Sequence, residues 1–131
     1  MSFANQAYVA ASEPVCSQFY TDLFTTTDQV TVTVGPNGVL LVTLSAGAYS
    51  DLVNMVGFVS FTLSGANTQA ADDSYSVSHQ EYAAWNGEYI SGSFLLTGLN
   101  PGPTTVKLKY RILSAQTAFH FVNRRVGAVA L

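Results

Sequence analysis

Residues 29–44 read QVTVTV, GPNG, VLLVTL. In the first six, Val30, Val32 and Val34 fall on one face of an extended chain and Thr31 and Thr33 on the other, the period-two pattern of a half-buried strand. Gly35-Pro36-Asn37-Gly38 then offers proline at the first central position of a turn and asparagine at the second. A glycine able to take the left-handed conformation follows. Residues 39–44 resume the strand, so the stretch is predicted to be a β-hairpin.

Outward from there, further strands are predicted at residues 56–63, 75–79, 89–96, 105–113, 118–122 and 126–131. Turn clusters such as Ser64-Gly65-Ala66-Asn67, Trp85-Asn86-Gly87 and Asn100-Pro101-Gly102-Pro103 separate them. Seven or eight short strands so punctuated predict an all-β chain folded as an antiparallel β-sandwich or jelly roll. The sandwich is expected to span residues 29–131, with residues 1–28 as an N-terminal arm or edge segment. Within that segment two readings stand open. Ser12-Glu13-Pro14 opens a short helix with Val15, Phe19 and Leu23 on one face, or the chain is an extended arm holding an edge strand or clasping a neighbour.

A chain of 131 residues is most simply one domain. Charged residues are 10% of it, against about 25% in an ordinary soluble domain. Serine and threonine dominate its polar surface, and so sparsely charged a chain is expected to bury part of its surface in an assembly. One cysteine, Cys16, leaves no internal disulfide framework and no Cys-rich zinc site, and is expected to be a small buried apolar residue. The N-terminal residues carry no cation and no apolar run reaches the roughly 20 residues of a membrane span, so synthesis without Sec export and no membrane partner are expected.

All five lysines and arginines lie between residues 107 and 125, and all eight acids precede residue 89. In residues 105–113, Val106, Leu108, Tyr110 and Ile112 alternate with Lys107, Lys109 and Arg111. Same-face neighbours are about 7 Å apart, so the three cations make a row about 14 Å long that faces solvent, acids or an anionic partner. A solvated outer face is the plainest reading. The other reading is a protein-interaction site of Lys107, Lys109, Arg111, Arg124 and Arg125, meeting the acidic part of a second copy or another acidic protein. Nucleic acid is disfavoured: the chain is acidic, with a pI near 5.0, and shows no broad basic stripe.

No catalytic or metal constellation emerges. His79 and His120 lie on different predicted strands, no G-x-S-x-G elbow accompanies the serines, and histidines at metal-ligand spacing are absent. Asp72-Asp73 suits a turn better than a calcium loop, and the glycines match no nucleotide-binding pattern. No enzyme and no cofactor are expected. Residues 81–87, EYAAWNG, join aromatics to a carboxylate and an amide. Trp85 there either plugs one end of the sandwich or, with Tyr82 and Asn86, makes a possible glycan contact.

The C-terminal quarter carries a resemblance. Gly98-Leu99-Asn100-Pro101-Gly102, Val106-Lys107-Leu108-Lys109-Tyr110-Arg111, Phe121-Val122-Asn123-Arg124-Arg125 and Val129-Ala130-Leu131 resemble the closing segment of small β-sandwich virion domains in tailed phages of actinobacteria. Here Ala130 stands where that family usually has proline, and residues 112–116 replace a glycine-rich turn. The resemblance implies a non-enzymatic structural protein of the virion, made in the host cytoplasm. As an almost free-standing domain it implies a capsid decoration protein, a homotrimer bound to the major capsid protein. The alternative it implies is a minor tail or receptor-binding module that touches host glycan.

Overall fold

The computed structural model describes residues 3–114 and 118–131. Of the divergent turn at residues 112–116, Ala115 and Gln116 lie outside the described residues. The strands are β1 Ala4–Val9, β2 Glu13–Val15, β3 Gln29–Val34, β4 Leu40–Ser50, β5 Val56–Gly65, β6 Val77–Gln80, β7 Glu88–Leu96, β8 Gly102–Ile112 and β9 Phe119–Ala130. Two antiparallel sheets stack as a sandwich: β1-β9-β4-β7, with β2 also on β9, and β3-β8-β5-β6. β1 and β2 run along β9 one after the other, pairing with residues 129–124 and 121–119, so they act as one interrupted strand.

The pairing is nested. β1 and β2 pair with β9, β3 with β8, β4 with β7 and β5 with β6, and the contacts β9–β4 and β8–β5 join the pairs into sheets. That is the jelly-roll arrangement. Between the sheets lie Val30 and Val32, Leu40, Val42 and Leu44, Leu108, Tyr110 and Ile112, Phe119 and Phe121. Each large apolar side chain so buried is worth about 1.5–3 kcal/mol.

Four expectations change. Gly35-Pro36-Asn37-Gly38 does form the turn, with Gly38 N donating to Gly35 O at 3.0 Å and Gly38 at φ +66°. Yet β3 and β4 belong to different sheets, so the stretch is a corner between layers and not a hairpin. A corner and a hairpin ask the same of the sequence, a tight turn between two alternating strands. The short helix is absent: Val15 ends β2, and Val15 and Leu23 are buried while Phe19 is exposed. Cys16 is exposed. Residues 75–76 belong to a 3₁₀ turn, Asp73–Tyr75, and its C-cap, with Asp72 accepting from Ser74 N at 2.9 Å.

The last two predicted strands are one. β9 runs unbroken from Phe119 to Ala130 with a bulge where Ser45 pairs with Arg125 but Gly47 with Val122. Asn123, at φ +51°, is the extra residue. It resets the alternation: Phe119 and Phe121 point inward before it, and Arg124, Val126 and Ala128 point inward after it. β8 and β9 also lie in opposite sheets, so the cations at residues 107–111 and 124–125 do not form one continuous surface.

Candidate functional site

The cation row finds its acids within the chain. Lys107 Nζ lies 3.2 Å from Asp22 Oδ2 and Lys109 Nζ 2.9 Å from Asp22 Oδ1. Arg111 grips Asp73 with two bonds, 2.9 Å from Nε and 2.6 Å from Nη2, and lies over the Phe58 ring at 4.2 Å. Arg124 is 0% exposed, donates to Glu13 Oε1 at 3.0 Å and packs over the Tyr110 ring. An interior arginine cannot meet an outside protein, so Arg124 leaves the predicted interaction set. Arg125 stays outside, over the Tyr8 ring at 4.3 Å.

These pairs fix the segment between β2 and β3. Thr21 exchanges backbone bonds with Tyr110, Ile112 N donates to Ser17 O, and Leu108 N donates to Asp28 O, so residues 17–28 line the part of β8 that β3 leaves free. Burial works to raise the Asp22 carboxyl, but bonds from Lys109 and Lys107 outweigh it and hold its pKa below the ordinary value. Asp73 is likewise held down, first by the Arg111 bonds. Asp28 goes the other way: burial raises it despite the 2.5 Å bond from the Tyr110 hydroxyl. Glu13 closes the network, taking the Thr25 amide at 3.0 Å and the Thr25 hydroxyl at 2.5 Å. On this pinned segment Phe24 is 96% exposed and Phe19 81%.

The strand directions place the connections at residues 16–28, 51–55 and 81–87, with the described residues 113, 114 and 118, at one end of the sandwich, and those at 35–39 and 97–101 at the other, from which residues 66–76 run back along β5. Exposed apolar side chains stand at both ends, Phe3, Leu95, Val129 and Leu131 at the second and a larger set at the first. Phe19 and Phe24 stand near its β3 edge, and Leu52, Val53, Tyr82 and Trp85 on its neighbouring loops.

The loop at residues 81–87 hangs from a buried carboxylate. Glu81 accepts from Ser50 N at 2.9 Å, from Gly87 N at 3.2 Å and pairs with His79 Nε2 at 3.2 Å. Burial works to raise Glu81, but those bonds hold it below the ordinary carboxylate value. His79 Nδ1 meets Glu88 at 3.1 Å. Trp85 does not plug the sandwich. It sits at φ +61°, 61% exposed, with its amide donating to Ser50 O at 2.8 Å. Its ring lies 5.7 Å from Tyr49, which stacks on His120 at 4.9 Å.

Of the glycan-type residues, the structure brings Trp85 and Asn86 to one shallow trough on the outer face of the first sheet. Tyr89 joins them there in place of Tyr82, which turns aside to Gln80 at 3.3 Å. The sequence reading missed Tyr49, Tyr89 and Asp22, and it took the Glu81 carboxylate as part of the glycan-type loop where the structure buries it as that loop's anchor. Tyr89 and Tyr49 were findable as outward positions of strands β7 and β4; the partners of Asp22 and Glu81 come together only through the fold.

The architecture defines the chain as an antiparallel jelly-roll sandwich. No protein-family model matches the sequence, and no curated protein is similar to it in sequence. Among solved structures it is similar to VP2 of infectious bursal disease virus in a subviral particle, with a TM-score of 0.64 at 8% identity over 97% of this chain and 33% of that one. VP2 of the Gx strain gives 0.60 at 8% identity over 96% of this chain and 33% of that one. Eiger TNF from S. frugiperda gives 0.52 at 16% identity over 96% of this chain and 85% of that one. The chain thus spans about a third of the viral coat proteins it matches, and what it shares with all three is the fold.

Proposed function

We propose that this chain is a non-enzymatic structural protein of a virion, a decoration protein of a phage capsid that binds the shell and stabilises it. The observation that carries the reading is the pair of phenylalanines, Phe19 and Phe24, exposed on a segment that ion pairs and backbone bonds hold rigid. A preset apolar anchor loses little freedom on docking, and each buried phenylalanine adds about 1.5–3 kcal/mol. The contact therefore works through apolar area, and Lys107, Lys109 and Arg111 serve it from behind by holding the loop. The C-terminal resemblance and a jelly roll of the kind found in a viral coat protein support the same reading. The partner is the major capsid protein, and the oligomer is a homotrimer.

The test is a Phe19→Ser, Phe24→Ser double variant added to particles lacking the protein. Loss of both anchors should weaken shell binding about a hundredfold or more, with an unchanged thermal melt because neither ring is in the core. Microscopy of the decorated particle then gives site and copy number. Undiminished binding, or a location on the tail, refutes the decoration reading. The second reading, a tail or receptor-binding module, is favoured by the exposed Trp85.

A further inference from the structure

Three features of the surface invite a ligand: the phenylalanine pair already assigned, the outer face of the first sheet, and the trough at that face's Trp85 end. The last is the best built. Its volume is about 310 Å³, at the small end of ligand clefts, which gives room for one or two sugar rings. Trp85, Tyr49 and Tyr89 line it, with Gly47 and Val122 as the floor beneath Tyr89. Gly47 is needed for that shape. A Cβ there would stand 2.8 Å from Val122 and 3.1 Å from the Tyr89 ring, so any larger residue would lift Tyr89 off the floor.

The trough is preset before any ligand arrives. Tyr89 is held by Asn123, whose amide donates to its hydroxyl at 2.6 Å, and Asn123 in turn accepts from Tyr8 at 2.6 Å. Tyr49 is held by Ser12 at 2.5 Å. Trp85 keeps a left-handed backbone conformation, a cost that non-glycine residues bear mostly at functional positions. The loop beneath it is fixed by Glu81.

We propose that this trough binds a neutral glycan, stacking one sugar ring against Trp85 and Tyr89. Aromatic faces are electron-rich and attract C–H bonds, which a pyranose ring presents on one side. The same ring offers hydroxyls at its rim, where Asn86 supplies both a donor and an acceptor. The lining holds no lysine or arginine to pair with an anionic sugar, so a neutral one is favoured. The assignment deepens the receptor-binding reading and rests on it only for biological purpose. It is independent of docking through Phe19 and Phe24, which lie at the opposite edge of the same end.

Trp85 is the sole tryptophan, so its fluorescence reports on the site directly. The probes are neutral gluco-, galacto-, manno- and arabino-oligosaccharides, with a uronic-acid oligosaccharide as the anionic control. At least one neutral probe should give a saturable shift at millimolar concentration or below. Tyr89→Ala and Asn86→Ala should each weaken it roughly tenfold, while the Phe19→Ser, Phe24→Ser variant binds as wild type. Asn86 is exposed, so its variant keeps the test valid if Tyr89→Ala misfolds. No saturable shift with any neutral probe at about 10 mM, equal binding of the uronic acid, or binding indifferent to Asn86→Ala overturns the proposal. Neither result bears on shell binding by the Phe19 and Phe24 anchors, so the two proposals fail separately.

Discussion

Asn123, Arg124 and Arg125 are consecutive and go to three places. Asn123 supplies the bulge and ties Tyr8 to Tyr89, Arg124 turns into the core, and Arg125 remains on the outer face. The middle residue is the one whose loss the fold would feel. Removing one partner of a buried ion pair leaves the other charge stranded, at about 3–5 kcal/mol, whereas replacing both with apolar groups is often neutral. Arg124→Met should therefore destabilise the chain by about that much in urea unfolding, and Glu13→Leu added to it should restore most of the loss. An equal loss in the double variant would mean that packing around Arg124, and not its charge, matters. The sequence showed where the alternation of β9 breaks, since Phe119, Phe121, Val126 and Ala128 cannot share a face in an unbroken strand. It held no sign of which of three adjacent polar residues would go inside.

Among the elements, the segment between β2 and β3 depends most on acidity. Asp22 and Asp73, the acids that hold it, have folded-state pKa values below their ordinary ones. A lowered folded pKa contributes stability that is present above the unfolded value and lost as pH falls through the folded one. Asp28, raised by burial, acts with the opposite sign and offsets part of the loss. The melting temperature should thus fall as pH drops below the ordinary aspartate value of 3.8. Asp22→Asn should melt lower than wild type at neutral pH, with the two curves converging in acid, as thermal scans at stepped pH would reveal. Parallel curves would show that Asp22 holds the loop without its charge. Strands in this protein were legible because one face of each is buried, and period two survives in any β fold. Strand partners were not, because QVTVTVGPNGVLLVTL satisfies a corner as well as a hairpin. The Trp85 loop was legible in composition, while its anchor on Glu81 depends on residues that the chain brings together from Ser50, His79 and Gly87.

At the scale of the whole molecule the two ends of the sandwich differ. One exposes Phe19, Phe24, Tyr82 and Trp85 on its long loops; the other exposes Phe3, Leu95 and Leu131 at or beside strand ends and is closed by turns such as Gly35–Gly38 and by Asn67 bonded to Asn100 at 2.9 Å. Charge separation along the sequence, which suggested a partner, is largely the trace of folding: early acids meet late cations across the sandwich. The nested pairing also bears on how the chain reaches this state. Among the described strands only β5 and β6 pair with a sequence neighbour across a loop, while β1 must find β9 from the far side of the chain. Closing such distances is entropically costly before any contact repays it, so refolding should be slow, in milliseconds to seconds, and faster folding in stopped-flow would be unexpected for this topology. Until β1 and β2 close over β9, that strand is an open edge, and an unpaired edge of a half-made sheet can be completed by a neighbour's strand as readily as by its own. Crowding of nascent copies would then favour exchanged strands, and dilution during refolding would favour the closed monomer.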